Sequence, residues 1–412
     1  MKNYLRTTRT IINFSLVLSL LSGCGSSGVT ALALPPPGEI QINETDEHFI
    51  SVTADYAVRL FRQSAAKEEN TMISPLSVMI ALAMTANGAE GISLLEMEQL
   101  LGGEDISELN AYLAGWLPRL LASECLGIGN SLWVKDQPNV VVQPDFLQTM
   151  ANYYQAEIFQ EPFTEDTVKA VNDWADRNTG GLIKKIIEKL DPNTIMCLIN
   201  AIVFDAQWAE VYTLEQVAKK EFTNLRNQKE TVDFMYGEES FYLQDKQARG
   251  FLKPYKGYKF SFGVLLPDEE VAISDYIKQM TGSDFLRILE TKQEAIVNTA
   301  LPKFSYETSL EMTEILKALG MNQAFDENAA EFGKLVDLSR IDNVFVSSVI
   351  HKTFIAVDEL GTKAGAVTAV IMDTKAAPME VYSVVLDRPF IYFIIDNASG
   401  LPIFIGTVMT VK

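Results

Sequence analysis

Two histidines, His48 and His351, set a narrow limit on the chemistry that this chain could perform. A Ser-His-acid hydrolase would need His351 as its general base, because His48 lies beside the amino-terminal segment. No Gly-x-Ser-x-Gly, Gly-x-x-x-x-Gly-Lys or Gly-x-Gly-x-x-Gly motif supports such chemistry. Two histidines also cannot form a cluster with zinc-ligand spacing. The sequence therefore predicts no metal site and no cofactor, and a hydrolase that uses His351 stays a weak alternative.

The chain start has the pattern of a secretory signal. Lys2, Arg6 and Arg9 precede an apolar run, 11–21, that is too short to cross a bilayer as a helix. The run ends in Leu21-Ser-Gly-Cys24, which resembles the lipobox of bacterial lipoproteins, where the signal is removed before the cysteine and the thiol is acylated. We therefore expect residues 1–23 to be a signal peptide and Cys24 to carry lipid.

The segment after Cys24 is rich in Gly, Ser and Pro and shows no helical or strand period up to about Thr45. This composition is typical of a flexible tether, so we predict one over residues 24–47. The protein would then be secreted and lipid-anchored, at the outer membrane or cell surface, with its working domain periplasmic or extracellular. Two further thiols, Cys125 and Cys197, could pair in such a compartment, although two buried free thiols are favoured.

The charge balance excludes one class of partner. The chain has 34 basic and 54 acidic residues. Loss of the signal would remove three basic residues and leave a net charge of about −23. Such a surface repels phosphate backbones, and no basic stripe with interleaved aromatic residues is present. We therefore expect no nucleic-acid partner.

One segment, Asp358–Val370, has the pattern of a strand without a partner. From Thr362, alternate residues are small or apolar and could face a core: Thr362, Ala364, Ala366, Thr368 and Val370. The other face carries Lys363, which tolerates solvent. An ordinary edge strand or a small-residue linker is the alternative interpretation of this segment.

The rest of the chain must position these residues, and it divides into helical and strand-like regions. Ser74-Pro75 predicts a helix start, with a cap followed by a first-turn proline. A second helix is predicted near Thr308–Leu319, with Thr308 and Glu311 as a capping box. Strand-like runs are Gly127–Val134, Cys197–Phe204, Tyr258–Leu266, Ala295–Phe304, Val344–Val349, Thr353–Val357, Phe390–Ile395 and Ile403–Val411. Helices early and strands late, without regular alternation, predict an α+β fold.

Several ordered motifs resemble the serpin family over residues 48–412. They are Asn70-Thr-Met-Ile-Ser-Pro-Leu-Ser77, Asn87-Gly-Ala-Glu-Gly91, Leu198-Ile-Asn-Ala-Ile-Val-Phe204 with Trp208, Leu301-Pro-Lys-Phe304, Leu319-Gly-Met-Asn-Gln-Ala-Phe325, Val349-Ile-His-Lys352, Asp358-Glu-Leu-Gly-Thr362 and Asp387-Arg-Pro-Phe390. The resemblance implies a single domain with three β-sheets, eight or nine helices and an exposed reactive-centre loop. It overrules the two or three domains that length alone suggests.

The resemblance also implies roles for particular residues. The proximal hinge of the loop would comprise Glu359, Gly361, Thr362, Ala364, Gly365 and Ala366. A buried shutter that lets the sheet open would comprise Ser74, Ser77, Asn200 and His351. Trp208 would lie at the breach, where the loop first enters. A cleaved hinge would then insert into the largest sheet and trap the acylated protease.

The target implied by the resemblance depends on the reactive bond. The family's usual loop length places that bond at Lys375-Ala376, which indicates a trypsin-like serine protease. A shift to Ala376-Ala377 or Met379 would indicate an elastase-like or chymotrypsin-like target instead. Inhibition of cysteine proteases, or a non-inhibitory binding protein with the same fold, are the alternatives. The expected partner is thus a protease in a covalent acyl-enzyme complex with a monomeric inhibitor.

Overall fold

A computed structural model describes residues 29, 31–123, 125–154, 156–190, 194–341, 343–362 and 380–412. Nine α-helices occur in these ranges: α1 (Glu47–Ser64), α2 (Pro75–Ala86), α3 (Gly91–Leu100), α4 (Ile106–Leu121), α5 (Pro144–Thr149), α6 (Glu165–Asn178), α7 (Ile273–Gln279), α8 (Gly282–Glu290) and α9 (Thr313–Ala318). None of these helices is long and apolar enough to span a membrane.

Sixteen strands are present in the same described part of the chain. They are β1 (Thr71–Ile73), β2 (Leu126–Lys135), β3 (Glu157–Glu161), β4 (Met196–Phe204), β5 (Ala206–Gln207), β6 (Val217–Thr223), β7 (Lys229–Gln244), β8 (Ala248–Pro254), β9 (Phe260–Pro267), β10 (Gln293–Pro302), β11 (Phe304–Glu311), β12 (Val349–Val357), β13 (Gly361–Thr362), β14 (Val381–Val385), β15 (Phe390–Asp396) and β16 (Pro402–Val408).

A seven-stranded sheet carries the predicted central strand β4. Its order is β3-β2-β4-β12-β13-β5, and β11 pairs with the other edge of β12. Strands β4 and β12 are parallel neighbours, whereas β2 and β4 are antiparallel. Parallel strands are usually covered on both faces, and β4 is buried along nearly its whole length, whereas one face of the edge strand β11 is exposed.

The remaining strands form a nine-stranded network, which the long strand β7 divides into two parts. Strands β14, β10, β7 and β6 are hydrogen-bonded in that order. The later residues of β7 pair with β8, and the order continues through β9, β15, β16 and β1. The expected third sheet is thus continuous with the second through β7. The α+β fold class predicted from the sequence is confirmed.

Side-chain alternation in the central strands builds two hydrophobic clusters. Along β2, Leu132 and Val134 face the main core, whereas Trp133 faces a second cluster beneath α6. Helix α6 packs on β2 and β4 at this second cluster. Alternate side chains of a strand point to opposite faces, so a strand that is apolar on both faces must be covered on both.

Local signals placed helix α2 correctly. Ser74 is its N-cap and accepts a hydrogen bond from the Ser77 N–H, and Pro75 occupies the first turn. Proline is favoured there because the first N–H groups of a helix have no intrahelical partner.

The predicted helix at Thr308–Leu319 begins too early. Residues up to Glu311 form strand β11, and α9 covers only Thr313–Ala318. Thr308 faces Thr353 in β12 and its hydroxyl accepts from the Met72 N–H. Sheet pairing therefore outweighs the local capping pattern.

A second correction concerns the predicted strand Val344–Val349. The chain from 343 to 348 forms no strand, and β12 starts at Val349. Val344 and Val346 are nevertheless buried in the main core. Alternate residues of this irregular segment pack in the core. An alternating apolar pattern does not distinguish such a segment from a hydrogen-bonded strand.

The segment expected to be a free tether lies against the body from Ala31 onward. The Leu32 N–H donates to the Ile158 carbonyl (2.6 Å), and the Asn43 N–H donates to the Ala111 carbonyl (3.0 Å). Leu32 and Leu34 pack on the main core. Composition predicts that this segment lacks regular structure of its own, but it cannot predict docking on a distant edge strand.

Candidate functional site

The central pair of strands in the seven-stranded sheet is joined along only part of its length. Leu198–Ala201 of β4 face Val349–Lys352 of β12. Beyond these residues the two described strands are not paired with each other, although β4 continues to Phe204 and β12 to Val357. The sheet therefore has a gap that opens toward the carboxyl ends of both strands.

Strand β13 occupies the mouth of this gap with the first two small hinge residues. Thr362 faces Val357 of β12, and Gly361 faces Gln207 of β5. A Cβ atom at residue 361 would lie 2.1 Å from the Ala206 carbonyl oxygen, so the close approach requires glycine. The Thr362 side chain is buried, and its hydroxyl lies 2.6 Å from the Tyr255 hydroxyl.

Trp208 holds the chain just before it enters the sheet. Its indole N–H donates to the Asp358 carbonyl (2.9 Å), and its backbone N–H donates to the Leu360 carbonyl (2.9 Å). The Tyr212 N–H donates to the Glu359 carbonyl (3.0 Å). The Trp208 ring stacks on Tyr255 with centroids 4.6 Å apart. The structure thus places the predicted breach tryptophan directly on the predicted hinge.

Glu359, the first predicted hinge residue, forms an ion pair with Lys303 at the same end of the sheet. Burial of the carboxyl is the largest single influence and raises its pKa, but the hydrogen bond and the charge of Lys303 together with a backbone hydrogen bond exceed it, so the pKa is lowered. The ionised pair links the hinge to the short turn between β10 and β11.

The four predicted shutter residues lie together where β4 and β12 are paired. The Ser74 N–H donates to His351 Nε2 (3.0 Å), and the Ser77 hydroxyl donates to the Asn200 side-chain oxygen. His351 faces Asn200 in the parallel register. The Asn200 amide donates in turn to Asn130 (2.5 Å), which the sequence analysis did not identify.

This arrangement gives His351 a structural task. Complete burial lowers the pKa of His351 to about 4, so the ring is neutral at neutral pH. The Ser74 N–H occupies the lone pair of Nε2, which a general base would need for a proton. The geometry therefore favours a hydrogen-bonded clasp between helix α2 and β12 over the hydrolase alternative.

Two further lysines contribute to the site and were missed because a lone lysine gives no sequence signal. Lys253 forms a buried ion pair with Glu239 (2.7 Å), and its ammonium lies 4.3 Å from the centre of the Tyr212 ring. Lys352 donates to the Lys185 carbonyl (2.6 Å), which belongs to the segment that follows α6. Lys253 thus supports the hinge platform, by which we mean Trp208, Tyr212 and Tyr255, which contact the predicted hinge or each other. Lys352 fastens the segment after α6 to the sheet.

Several predicted site residues lie outside the described residues. They are Cys24, Ala364, Gly365, Ala366, Lys375 and Ala376.

No disulfide joins Cys125 and Cys197. Trp133 faces Cys197 in the ladder, eight residues along β2 from Cys125, which separates the two thiols by about 26 Å, beyond disulfide reach. In the described ranges no cluster of His, Cys, Asp and Glu side chains could hold a metal ion.

The sequence matches one family model, described as "Serpin (serine protease inhibitor)", over residues 51–411. Leukocyte elastase inhibitor from Equus caballus is 31% identical over 382 residues, which cover 87% of this chain and 98% of that protein. Both matches span the whole region that carries the site.

Solved structures give the same result for the fold. The native state of tengpin, a thermophilic serpin, has a TM-score of 0.84 and 44% identity, with 90% of this chain and 97% of that chain covered. Human thyroxine-binding globulin has a TM-score of 0.77 at 24% identity, with 88% and 98% covered. The latter similarity shows the fold alone.

Proposed function

This chain belongs to the serpin family, and on that premise we propose that it inhibits serine proteases as a suicide substrate. A protease would cleave the loop after the hinge, and the freed hinge would insert between β4 and β12. The observation that carries this proposal is the gap between those strands, with Gly361 and Thr362 already seated at its mouth.

The ladder register supports insertion of the small-residue segment. Because Val357 faces Thr362 in an antiparallel pair, continuing the ladder by eight residues would bring Val370 opposite Val349. Val349 is the first residue of β12 that pairs with β4. Val370 would therefore reach the far end of the stretch in which β4 and β12 are now paired. Alternate residues from Thr362 would then face the core, which fits their small size.

The energetics favour the inserted state. About eight new residues could hydrogen-bond to both neighbouring strands, at a net 0.5–1.5 kcal/mol for each bond. The gain is on the order of 10 kcal/mol, which exceeds the stability of many domains. The uncleaved fold would have to be kinetically trapped, with cleavage releasing it.

We further propose a trypsin-like target and a reactive bond at Lys375-Ala376. A lysine side chain fits a specificity pocket with a carboxylate at its base. A bond displaced to Ala376-Ala377 or Met379 would instead suit an elastase-like or chymotrypsin-like protease, and a cysteine protease is the other alternative. A non-inhibitory binding protein is the second candidate function, although the hinge residues are small apart from Lys363.

We also propose that the protein is secreted and anchored by lipid on Cys24, and that it acts as a monomer. The support is the basic start, the short apolar run and the lipobox-like end of that run. In this proposal residues 1–23 are removed, and the serpin domain works outside the cell or in the periplasm.

Incubation with trypsin, and separately with an elastase, followed by denaturing gels, tests the inhibitory proposal. We expect a protease adduct that survives boiling, formed with trypsin in preference to elastase. Clean cleavage with full protease activity would indicate the non-inhibitory alternative. Mass spectrometry of the released peptide identifies the reactive bond.

A matched pair of variants tests the insertion step itself. Ala364→Arg places a long charged side chain on the face that must enter the core, whereas Lys363→Arg alters the other face. We expect the first variant to be cleaved without an adduct and the second to form the adduct normally. An adduct of normal yield with Ala364→Arg would contradict insertion as the trapping step.

A further inference from the structure

The amino-terminal segment extends the seven-stranded sheet beyond its edge strand β3. Ala31 forms an antiparallel bridge with Phe159, and the Leu32 N–H donates to the Ile158 carbonyl (2.6 Å). Ala31 packs on the cluster beneath α6, whereas Leu32 packs on the main core. The segment therefore behaves as a short additional strand whose opposite faces are half-buried against the two hydrophobic clusters.

Neighbouring contacts fasten the chain that follows. The Gly38 N–H donates to the Asn152 side chain (2.8 Å), and Gln148 donates to the Pro36 carbonyl (3.0 Å). Arg119 donates to the Thr45 hydroxyl (3.0 Å), just before α1 begins. The attachment therefore runs from residue 31 to the first helix.

The ladder registers show at which end of the sheet this segment begins. Phe159 faces Trp133, and Trp133 faces Cys197. The next residue of β4 faces Val349, the first residue of β12. Ala31 thus lies about nine residues below Val357, which faces Thr362 of the predicted hinge, and this corresponds to about 30 Å along the strands.

The direction of the docked segment limits how close Cys24 can come to the hinge. Strand β3 is parallel to β2 and so runs away from the hinge end, and the Ala31 bridge is antiparallel to β3. Tracing the chain backward from Ala31 therefore leads away from the hinge. Val29 still packs on the cluster beneath α6, and the five residues from it to Cys24 can span at most about 18 Å.

We infer that lipid on Cys24 holds the domain with the pole opposite the hinge against the membrane and the reactive loop facing away from it. This inference rests on the proposed lipidation and protease inhibition. A domain of this length has a diameter of about 50 Å, so the loop would lie well clear of the bilayer. The partner it favours is a protease free in the surrounding compartment, not one embedded in the same membrane.

Energy transfer to a membrane dye measures this orientation. The full lipidated chain, carrying Cys125→Ser and Cys197→Ala, is placed in phosphatidylcholine vesicles that contain an acceptor lipid. Single donor dyes are attached at Asp136→Cys, just after β2 at the far pole, or at Lys256→Cys, whose N–H bonds to Gln207 beside the hinge. We expect transfer to be several-fold stronger from residue 136 than from residue 256.

Two controls separate docking from tether length. Leu32→Asp with Leu34→Asp should release the segment and make transfer from the two dyes similar. A flexible insertion of about twenty Gly and Ser residues after Gly25 leaves the docked residues unchanged and should also reduce the difference. Because the insertion lies outside the docked part, this second variant remains informative if the first one folds poorly.

The outcomes distinguish the inference from the proposals beneath it. Equal transfer from both dyes in lipidated protein that floats with the vesicles would overturn the orientation alone. Failure to float, with no acyl mass on Cys24, would overturn lipidation and orientation together. Neither result affects the gel test of inhibition, which uses the domain in solution.

Discussion

His351 and Asn200 lie opposite each other in the short stretch where β4 and β12 are joined. Both side chains are buried and hydrogen-bonded, His351 to the Ser74 N–H and Asn200 to Ser77. A buried polar network of this kind fixes one arrangement firmly when it is satisfied and is costly when it is not. We therefore propose that the clasp, which comprises Ser74, Ser77, Asn200 and His351, keeps the loop from inserting between β4 and β12 before cleavage.

Acid should weaken this clasp through His351. Its pKa is about 4 in the folded protein and about 6.5 when exposed, so the unfolded chain binds the extra proton between these values. Stability should therefore fall as the pH decreases from 6.5 to 4, by about 3 kcal/mol from this residue. Denaturant midpoints measured across this range test the prediction.

Each histidine provides a control for the other. His351→Gln removes the titrating group and should flatten this part of the pH profile. His48→Gln changes an exposed histidine outside the clasp and should retain the decline that His351 causes. Identical pH profiles for wild type and His351→Gln would show that the clasp does not titrate.

The buried pair Lys253–Glu239 should behave as a coupled unit beneath the hinge platform. Lys253→Met alone would leave a buried carboxylate unpaired, and we expect a loss of about 3–5 kcal/mol in unfolding free energy. Lys253→Met combined with Glu239→Leu should restore most of that loss, since both charges are gone. Denaturant unfolding of the two single variants and the double variant gives the coupling energy. Additive losses would contradict a coupled pair.

At the scale of elements, the segment after α6 covers one face of the seven-stranded sheet. Ile183, Ile186 and Ile187 in this segment pack in the cluster beneath α6. Lys352 of β12 donates to the Lys185 carbonyl and also pairs with Glu307 (2.8 Å). Lys352 thus connects strand β12 to the segment that covers it.

Removing that connection should loosen the cover without unfolding the sheet. Lys352→Ala eliminates a hydrogen bond from a charged donor, worth about 1.5 kcal/mol or more. Hydrogen exchange across residues 183–187 should therefore accelerate about tenfold, while β2 exchanges as before.

Lys185→Ala is the matched control for this experiment. It keeps the carbonyl that Lys352 contacts and removes only an exposed side chain that pairs with Glu188 (3.0 Å). Equal acceleration in both variants would show that the Lys352 contact is not the fastening.

At the scale of the whole molecule, the seven-stranded sheet has a gap between β4 and β12 that β13 occupies only at its mouth. The two sheets and their helices bury a main core and a second cluster beneath α6, yet β4 and β12 pair over four residues each. The hinge begins at the open end, and the amino-terminal segment docks near the closed end. In the mechanism that we propose, such a molecule releases free energy when the loop is cut and fills this gap.

Cleavage of the loop should therefore stabilise the molecule greatly. After limited digestion at the reactive bond, the unfolding free energy should rise by on the order of 10 kcal/mol through the new ladder bonds. The denaturant midpoint of cleaved wild-type protein measures this rise. Cleaved Ala364→Arg should show little of it, and an equal rise in that variant would argue against insertion.

The sequence specified the local features well. The Ser74-Pro75 start of α2, the strands β2, β4 and β9, and the β15–β16 hairpin follow from capping, β-propensity and turn residues, which are local in origin. The early start of the predicted helix at Thr308 and the predicted strand at Val344 were wrong, because sheet pairing and core packing override local patterns.

By itself, the sequence determined the α+β fold class, through its order of helical and strand-like patterns, and the family resemblance, through its motifs. It also predicts that the segment from Thr362 onward could insert as a strand. Only the tertiary structure decided that β4 and β12 separate beyond Ala201, that Gly361 is pressed against Ala206, and that the chain before α1 docks on β3. These features join residues far apart in the chain. Long-range pairing depends on which edges and surfaces the completed fold leaves available, and no local pattern contains that information.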